Sequence, residues 1–351
     1  MNLIVNQLNK ITERYNSYEN EDELKQDIES LLFSLNESEL MKINKPVTLS
    51  SVADELNTFY FDTTKAREEF FIPSGYKDFD KELSGWRKGE LVVIGARPGM
   101  GKTQLMIDMA VRLASQDVNC GVVSLEQNKT AIGSKFVSNI SSISQQQVVK
   151  GIFNPAEKEQ VRAALVKLKT LPIWVVDQHQ SSITLILERC KQLITEQKVE
   201  VLFLDYVQLI GTIHRRQNRE TELALITRSL KRLAVEYNVV IIVLSQLSRS
   251  VETRASGSKR PMLSDLRESG AIEQDADKVI FLYRPEYYGL TEDENGNSTK
   301  GFAELIVAKN KIGYTIDIPL QVKKDFTGFA DYEGPKDSIE ISWERLTEIN
   351  K

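Results

Sequence analysis

The chain has 351 residues, 41% of them apolar, and a formal net charge of −5, a size that suits one large domain with a smaller appendage. It has no uncharged apolar window of about 18 residues and no charged-then-apolar leader over its first residues, so membrane spanning and secretion are not expected and a cytoplasmic location is. The two cysteines (Cys120, Cys190) and two histidines (His179, His214) lack the spacing of a disulfide framework or a zinc cluster, and the acidic balance argues against nucleic-acid binding through the surface at large.

In chain order, residues 1–45 carry Leu3, Ile4, Leu8 and Ile11, then Leu24, Ile28, Leu31, Leu32 and Leu35 at helical spacing, with Asn20 and Glu23 placed as a capping box. Two short helices are predicted there, too small for a core of their own. Pro46 opens a linker, 46–71, within which Ser51–Phe71 reads as a further helix with Val52, Leu56, Phe59 and Tyr60 as an adhesive face. From Ile72 the pattern becomes α/β, a domain running to 334 before a tail at 335–351. Predicted strands are Leu91–Gly95, Cys120–Leu125, Ile173–Asp177, Val201–Asp205, Val239–Ser245, Val279–Tyr283 and Ala303–Ala308. Most are continuous Val- and Ile-rich runs, as in strands covered on both faces. Helical patterns lie between several of them, at Ile183–Gln197 and at Glu220–Tyr237 with Leu223, Ile226, Leu230 and Leu233 on one stripe. The predicted fold class is α/β, a mostly parallel sheet with helices on both faces.

The strongest motif is Ala96-Arg97-Pro98-Gly99-Met100-Gly101-Lys102-Thr103, which follows an apolar strand and precedes a helical pattern starting at Gln104. This is a phosphate-binding loop in its required context. Residues Ala96 to Gln104 form the expected nucleotide site, with Lys102 on the phosphates and the Thr103 hydroxyl on Mg²⁺, so ATP and Mg²⁺ are the expected substrate and cofactor. Gly99 and Gly101 let the backbone approach without a Cβ. Three other strands end in polar residues suited to the same chemistry. Asp205 can support the metal, Glu126 can activate the attacking water as general base, and Gln246 can sense the γ-phosphate. Two basic clusters, Arg215, Arg216 and Arg219, and then Arg249, Arg254, Lys259 and Arg260, follow strand ends as well. That is the edge where open α/β sheets place ligands, and a polyanion is the expected one.

Taken together these residues identify a resemblance. Phe71–Asp331, about three quarters of the chain, resembles the ATPase domain of the DnaB-type replicative DNA helicases in the RecA-like P-loop superfamily. The matching strings are Ser74-Gly75-Tyr76-Lys77-Asp78-Phe79-Asp80, the phosphate loop, Ser124-Leu125-Glu126, Leu204-Asp205-Tyr206-Val207-Gln208-Leu209, Asn218-Arg219-Glu220, Leu244-Ser245-Gln246-Leu247-Ser248-Arg249 and the long run Lys259–Asp277. The resemblance implies a homo-hexameric helicase that hydrolyses ATP and moves 5′ to 3′ on single-stranded DNA during replication, with primase or a helicase loader as further partners. It places Arg267, Glu268 and Gly270 on the DNA backbone in the ring's channel, beside the basic candidates Arg215, Arg216 and Arg249. Two features depart from the family. Its Lys-x-Arg pair, which reaches a neighbour's nucleotide, corresponds to Lys309-Asn310-Lys311, a point charge replacing the planar fork of the arginine finger. The 45 residues before Pro46 are too few for the family's helical collar, so the motor resembles the family and the collar does not. A filament-forming recombination ATPase and an ATP-binding regulatory subunit remain as rivals, separable by strand exchange and by DNA-stimulated hydrolysis.

Overall fold

A computed structural model describes residues 47–61, 70–178, 182–205, 219–254, 259–266, 270–292, 296 and 298–334, with a few residues before position 29. The predicted helices of residues 1–45 and the tail 335–351 lie outside the described residues in all but those few positions. Helix α1 (Leu49–Phe61) begins where the Thr48 hydroxyl accepts the Ser51 N–H at 3.2 Å, an N-cap. The predicted helix Ser51–Phe71 therefore starts two residues earlier. It also stops short of Phe71, because Phe71–Ile72 is a strand, β1, paired antiparallel with β2 (Trp86–Arg87) around α2 (Lys77–Leu83).

The core follows as β3 (Leu91–Ala96), α3 (Lys102–Ala114), β4 (Cys120–Ser124), α4 (Lys129–Ser141), α5 (Gln145–Lys150), α6 (Pro155–Leu168), β5 (Ile173–Asp177), α7 (Ile183–Gln197), β6 (Val201–Asp205), α8 (Arg219–Tyr237), β7 (Val240–Gln246), α9 (Ser250–Thr253), α10 (Gly270–Asp275), β8 (Lys278–Tyr283), β9 (Phe302–Asn310), β10 (Ile316–Val322) and β11 (Phe329–Asp331). Nine of these strands form one sheet in the order β11-β10-β9-β8-β3-β7-β6-β4-β5. The six from β8 to β5 are parallel and the last three of the chain are antiparallel to their neighbours.

Alternate residues of the parallel strands feed two separate cores. Val92, Ile94, Val122, Phe203 and Ile242 pack with α3 and α4, while Leu91, Val93, Val123, Leu204 and Val243 pack with α7, α8 and α10. Burial on both faces explains the unbroken apolar runs. The fold is the mostly parallel α/β sheet covered by helices on both faces that the pattern predicts, in the RecA-like class that the resemblance implies. Both cysteines are buried, and burial pushes the Cys190 thiol up to about 12. β10 is not among the predicted strands because Pro319 interrupts it. Pro319 pairs with Glu304 of β9, whereas β11 pairs only with Leu320–Val322, so on that flank Pro319 sits where no ladder N–H is required.

At the amino edge of the sheet, Lys278 and Glu90 form an ion pair with both side chains only 4% exposed, and Glu90 Oε1 has no hydrogen-bond partner. Lys278→Met should lower stability by about 3–5 kcal/mol by stranding the carboxylate, whereas Lys278→Met with Glu90→Met should be near neutral. Denaturant midpoints test this, and an unchanged midpoint in the single variant would refute it.

Candidate active site

Six parallel strands send their carboxyl ends to one edge, and functional side chains collect there. β3 ends at Ala96, the loop 97–101 follows, and α3 begins at Lys102. Gly99 and Gly101 turn the loop at φ 80 and 102, conformations open to glycine and strained for other residues. The α3 N-terminus thus presents the backbone N–H groups of its first turn beyond the strand, an arrangement that attracts anions. The Lys102 ammonium donates to the Ala96 carbonyl at 3.2 Å. Burial pushes its pKa down, and Asp205 and Glu126 oppose that shift.

Asp205 closes β6 and is buried. The Thr103 hydroxyl donates to its Oδ2 at 2.7 Å. Burial raises the Asp205 carboxyl above its ordinary range, against Thr103, Lys102 and Lys135, while Glu126 raises it further. A buried carboxylate beside a hydroxyl is a hard-oxygen donor pair that fits Mg²⁺, and a cation there would offset the desolvation. The Leu125 N–H donates to the Asp205 carbonyl at 2.7 Å, stitching the end of β4 to β6 and setting the exposed Glu126 within electrostatic reach of Lys102 and Asp205. Gln246 pairs with Ala96 across β7 and β3, and the next N–H, that of Leu247, donates to the Ala96 carbonyl at 3.2 Å. Lys102, Thr103, Glu126, Asp205 and Gln246 therefore come from four strand ends to one place. The arrangement can hold a polyphosphate, a divalent cation and a water activated by a carboxylate.

Other expected site residues are placed differently. The Arg97 guanidinium points away from the loop, pairing with Glu252 at 2.8 Å and donating to the Leu247 carbonyl at 2.6 Å. The Gln104 amide donates to the Thr327 carbonyl at 2.6 Å. Both side chains hold neighbouring segments, which leaves only their backbones to the loop and the α3 N-terminus. Within the second basic cluster, Arg254 grips Asp265 through two bonds of 2.6 and 2.7 Å, and Arg260 pairs with Glu304 and Asp317. Lys259 donates to the carbonyls of Glu252 and Arg254. The expectation of a polyanion-facing cluster is corrected to a structural one, of which Arg249 is the exposed member. Gly270 opens α10. Arg215, Arg216, Arg267 and Glu268 lie outside the described residues, as does the side chain of Arg219.

Lys309 and Lys311 stand at the opposite edge of the sheet, since Lys309 of β9 is in register with Val279 at the amino end of β8. Lys309 donates to the carbonyls of Glu273 and Gln274, and Lys311 reaches Asp277 at 3.2 Å. Within one copy of the chain neither lysine meets the phosphate loop.

Four contributors carry no local sequence signal. Lys135 of α4 lies in the field of Asp205 and Glu126, although burial lowers its pKa. The Tyr287 hydroxyl donates to the Pro98 carbonyl at 2.9 Å across 189 residues of sequence. The Phe326 ring tip lies so close to Gly101 that a Cβ there would meet it at 2.3 Å. Over that ring stands the Arg284 guanidinium, 4.2 Å from its centroid. Aromatic and cationic groups so far apart in sequence become neighbours of the loop only through the β8–β9 and β10–β11 connections.

Comparison with known proteins agrees with this geometry. The family described as DnaB-like helicase C terminal domain matches residues 72–331. The chain is 39% identical over 251 residues to a probable plasmid replicative DNA helicase of Chlamydia psittaci, covering 71% of this chain and 53% of that protein. It is 36% identical over 272 residues to the replicative DNA helicase DnaB of Geobacillus stearothermophilus, covering 77% and 58%. The chain thus spans about half the length of these curated relatives. Among solved structures, one described as an ATPase domain aligns with a TM-score of 0.70 at 32% identity, over 81% of this chain and 97% of that one. A DnaB-like replicative helicase, described together with its interactions with primase, aligns with a TM-score of 0.72 at 30% identity, over 95% and 76%.

Proposed function

Because the chain belongs to the DnaB-like helicase C-terminal domain family, we propose that it is the motor of an ATP-dependent replicative DNA helicase that works as a homo-hexamer on single-stranded DNA. The observation that carries this reading is the meeting of Lys102, the Thr103–Asp205 pair, Glu126 and Gln246 on one sheet edge. Lys102 and the loop backbone bind the β- and γ-phosphates. Thr103 and Asp205 would hold Mg²⁺, which would supply positive charge to offset the negative charge of the phosphates. Glu126 takes the proton of the attacking water, and Gln246 reports the γ-phosphate to the segments that follow β7. Phe326, Arg284 and Tyr287, set against Gly101 and Gly99, wall the nucleoside end, where a flat base stacks on the ring and guanidinium.

Assembly rests on two apolar surfaces. α1 exposes Leu49, Leu56, Tyr60 and Phe61, and the α5–α6 region exposes Val149, Ile152, Leu165 and Val166. Each suits burial against another copy, which supports α1 and the surrounding linker 46–71 as a docking element between subunits and 72–334 as the ATPase domain. The position of Lys309 and Lys311, away from their own loop, suits contact with a neighbour's nucleotide. Primase or a loader is the further partner in this reading.

DNA-stimulated ATP hydrolysis tests it. Wild type should be stimulated by single-stranded DNA, and Lys102→Ala should be inactive. In Arg267→Ala the salt dependence of single-strand binding should become shallower by about 0.7 for each phosphate that Arg267 no longer neutralises. Salt-dependent affinity unchanged in an assembled Arg267→Ala ring would remove that residue from the channel, and hydrolysis indifferent to DNA would favour the regulatory-subunit alternative.

A further inference from the structure

Gln104, Asp108 and Arg112 recur every four residues along α3, so they share one stripe of the helix that starts at Lys102. The stripe grips the turn between β10 and β11. Asp108, 1% exposed, accepts four hydrogen bonds: from the Tyr76 hydroxyl at 2.8 Å, Arg112 Nε at 2.7 Å, Asn139 Nδ2 at 2.8 Å and Lys323 Nζ at 2.6 Å. Burial pushes its carboxyl up, yet Lys323 and Arg112 outweigh that and leave it below the ordinary carboxylate range. Gln104 and Asn139 both donate to the Thr327 carbonyl, at 2.6 and 3.0 Å, and Arg112 donates to the Phe329 carbonyl at 2.9 Å.

The turn is pressed hard onto this network. A Cβ at Gly328 would come within 2.5 Å of both Asp108 Oδ1 and Asn139 Nδ2. Between the anchored Lys323 and Thr327, the backbone is left-handed at Asp325 and again at Phe326, φ 54 at each, a conformation uncommon for non-glycine residues and least expected of a bulky one such as Phe326. The product of that conformation is the placement of Phe326 against Gly101 and under Arg284.

We propose that Asp108 is a positioning residue for nucleotide recognition: by holding Lys323 and Asn139 it fixes the 323–328 turn, and through the turn it sets Phe326 as the wall for the base. The inference rests on the reading of the loop as a nucleoside triphosphate site. It assigns Asp108 to the nucleoside end and gives it no part in phosphate chemistry.

The experiment compares binding of ATP and of inorganic tripolyphosphate to the full chain carrying Asp108→Asn, Lys323→Met, Phe326→Ala, or Asp108→Asn with Phe326→Ala. Each variant should lose ATP affinity by about 5- to 100-fold, the range of a base stacked on an aromatic ring, and bind tripolyphosphate as wild type does. In hydrolysis the loss should fall on KM more than on kcat. The double variant should be no worse than Phe326→Ala alone, because both changes act through one ring. Lys323→Met, at a side chain 31% exposed, keeps the test alive if Asp108→Asn fails to fold. Additive losses, or equal losses for ATP and tripolyphosphate, would overturn the proposal. Lys102→Ala separates the two levels: if it binds both ligands normally, the nucleotide reading itself fails. If it loses both while the Asp108 and Lys323 variants match wild type, only the positioning role fails.

Discussion

Glu126→Gln is expected to leave ATP binding intact and to slow turnover by the roughly 10²–10⁴ that a lost general base represents. The glutamine keeps the shape and solvent exposure of the side chain at the end of β4, where the Leu125–Asp205 backbone bond fixes the chain. The phosphate cradle of Lys102 and the α3 N-terminus is untouched. What disappears is the carboxylate that can accept a proton from water. Nucleotide titration together with single-turnover hydrolysis separates the two effects. Hydrolysis at the wild-type rate in Glu126→Gln would show that another group, with Asp205 as the next candidate, takes the proton.

Lys311→Ala should produce a larger loss, on the order of the 10³–10⁵ that a cation reaching across a subunit boundary contributes to phosphoryl transfer, while each copy still binds ATP. The fold should tolerate the change. Asp277, the carboxylate that Lys311 meets at 3.2 Å, keeps its 2.6 Å bond to Lys231 and still accepts the Leu91 N–H at 2.8 Å. Mixing Lys311→Ala subunits with Lys102→Ala subunits should restore part of the activity, because each kind supplies what its neighbour lacks. Lys311→Arg, which reinstates a planar fork able to bind phosphate bidentately, should match or exceed wild type. Normal turnover in Lys311→Ala would reduce this lysine to its contact with Asp277 and shift the cross-subunit role to Lys309.

Much of this molecule is legible in its primary structure because the relevant physics is local. Ile173–Asp177 and Val201–Asp205 are strands at their predicted limits, since an apolar run bounded by turn residues needs no distant information. The phosphate loop is readable for the same reason. Glycines at positive φ, a strand before and a helix after, occupy one contiguous stretch. Asp205, Glu126 and Gln246 could be singled out because each lies at or just after the carboxyl end of a strand of a parallel sheet, and such ends converge by topology.

The fate of the longer polar side chains was decided elsewhere. Arg97, Gln104, Arg254 and Arg260 look like ligand-binding residues when motifs are read along the chain, but each finds a carboxylate or carbonyl of its own chain. Pro319 hides a strand that is permitted only because β11 is too short to pair beside it. The wall formed by Phe326 and Arg284, and the Asp108 network behind it, join segments more than 200 residues apart, such as Lys323 to Asp108. Sequence by itself determined most strands of the sheet, the phosphate loop and the polar residues at the carboxyl ends of the parallel strands, where period and spacing carry the information. Tertiary structure alone decided which buried charges are paired internally and which aromatic ring meets the loop, because a hydrogen bond depends on distance in space and leaves no period along the chain.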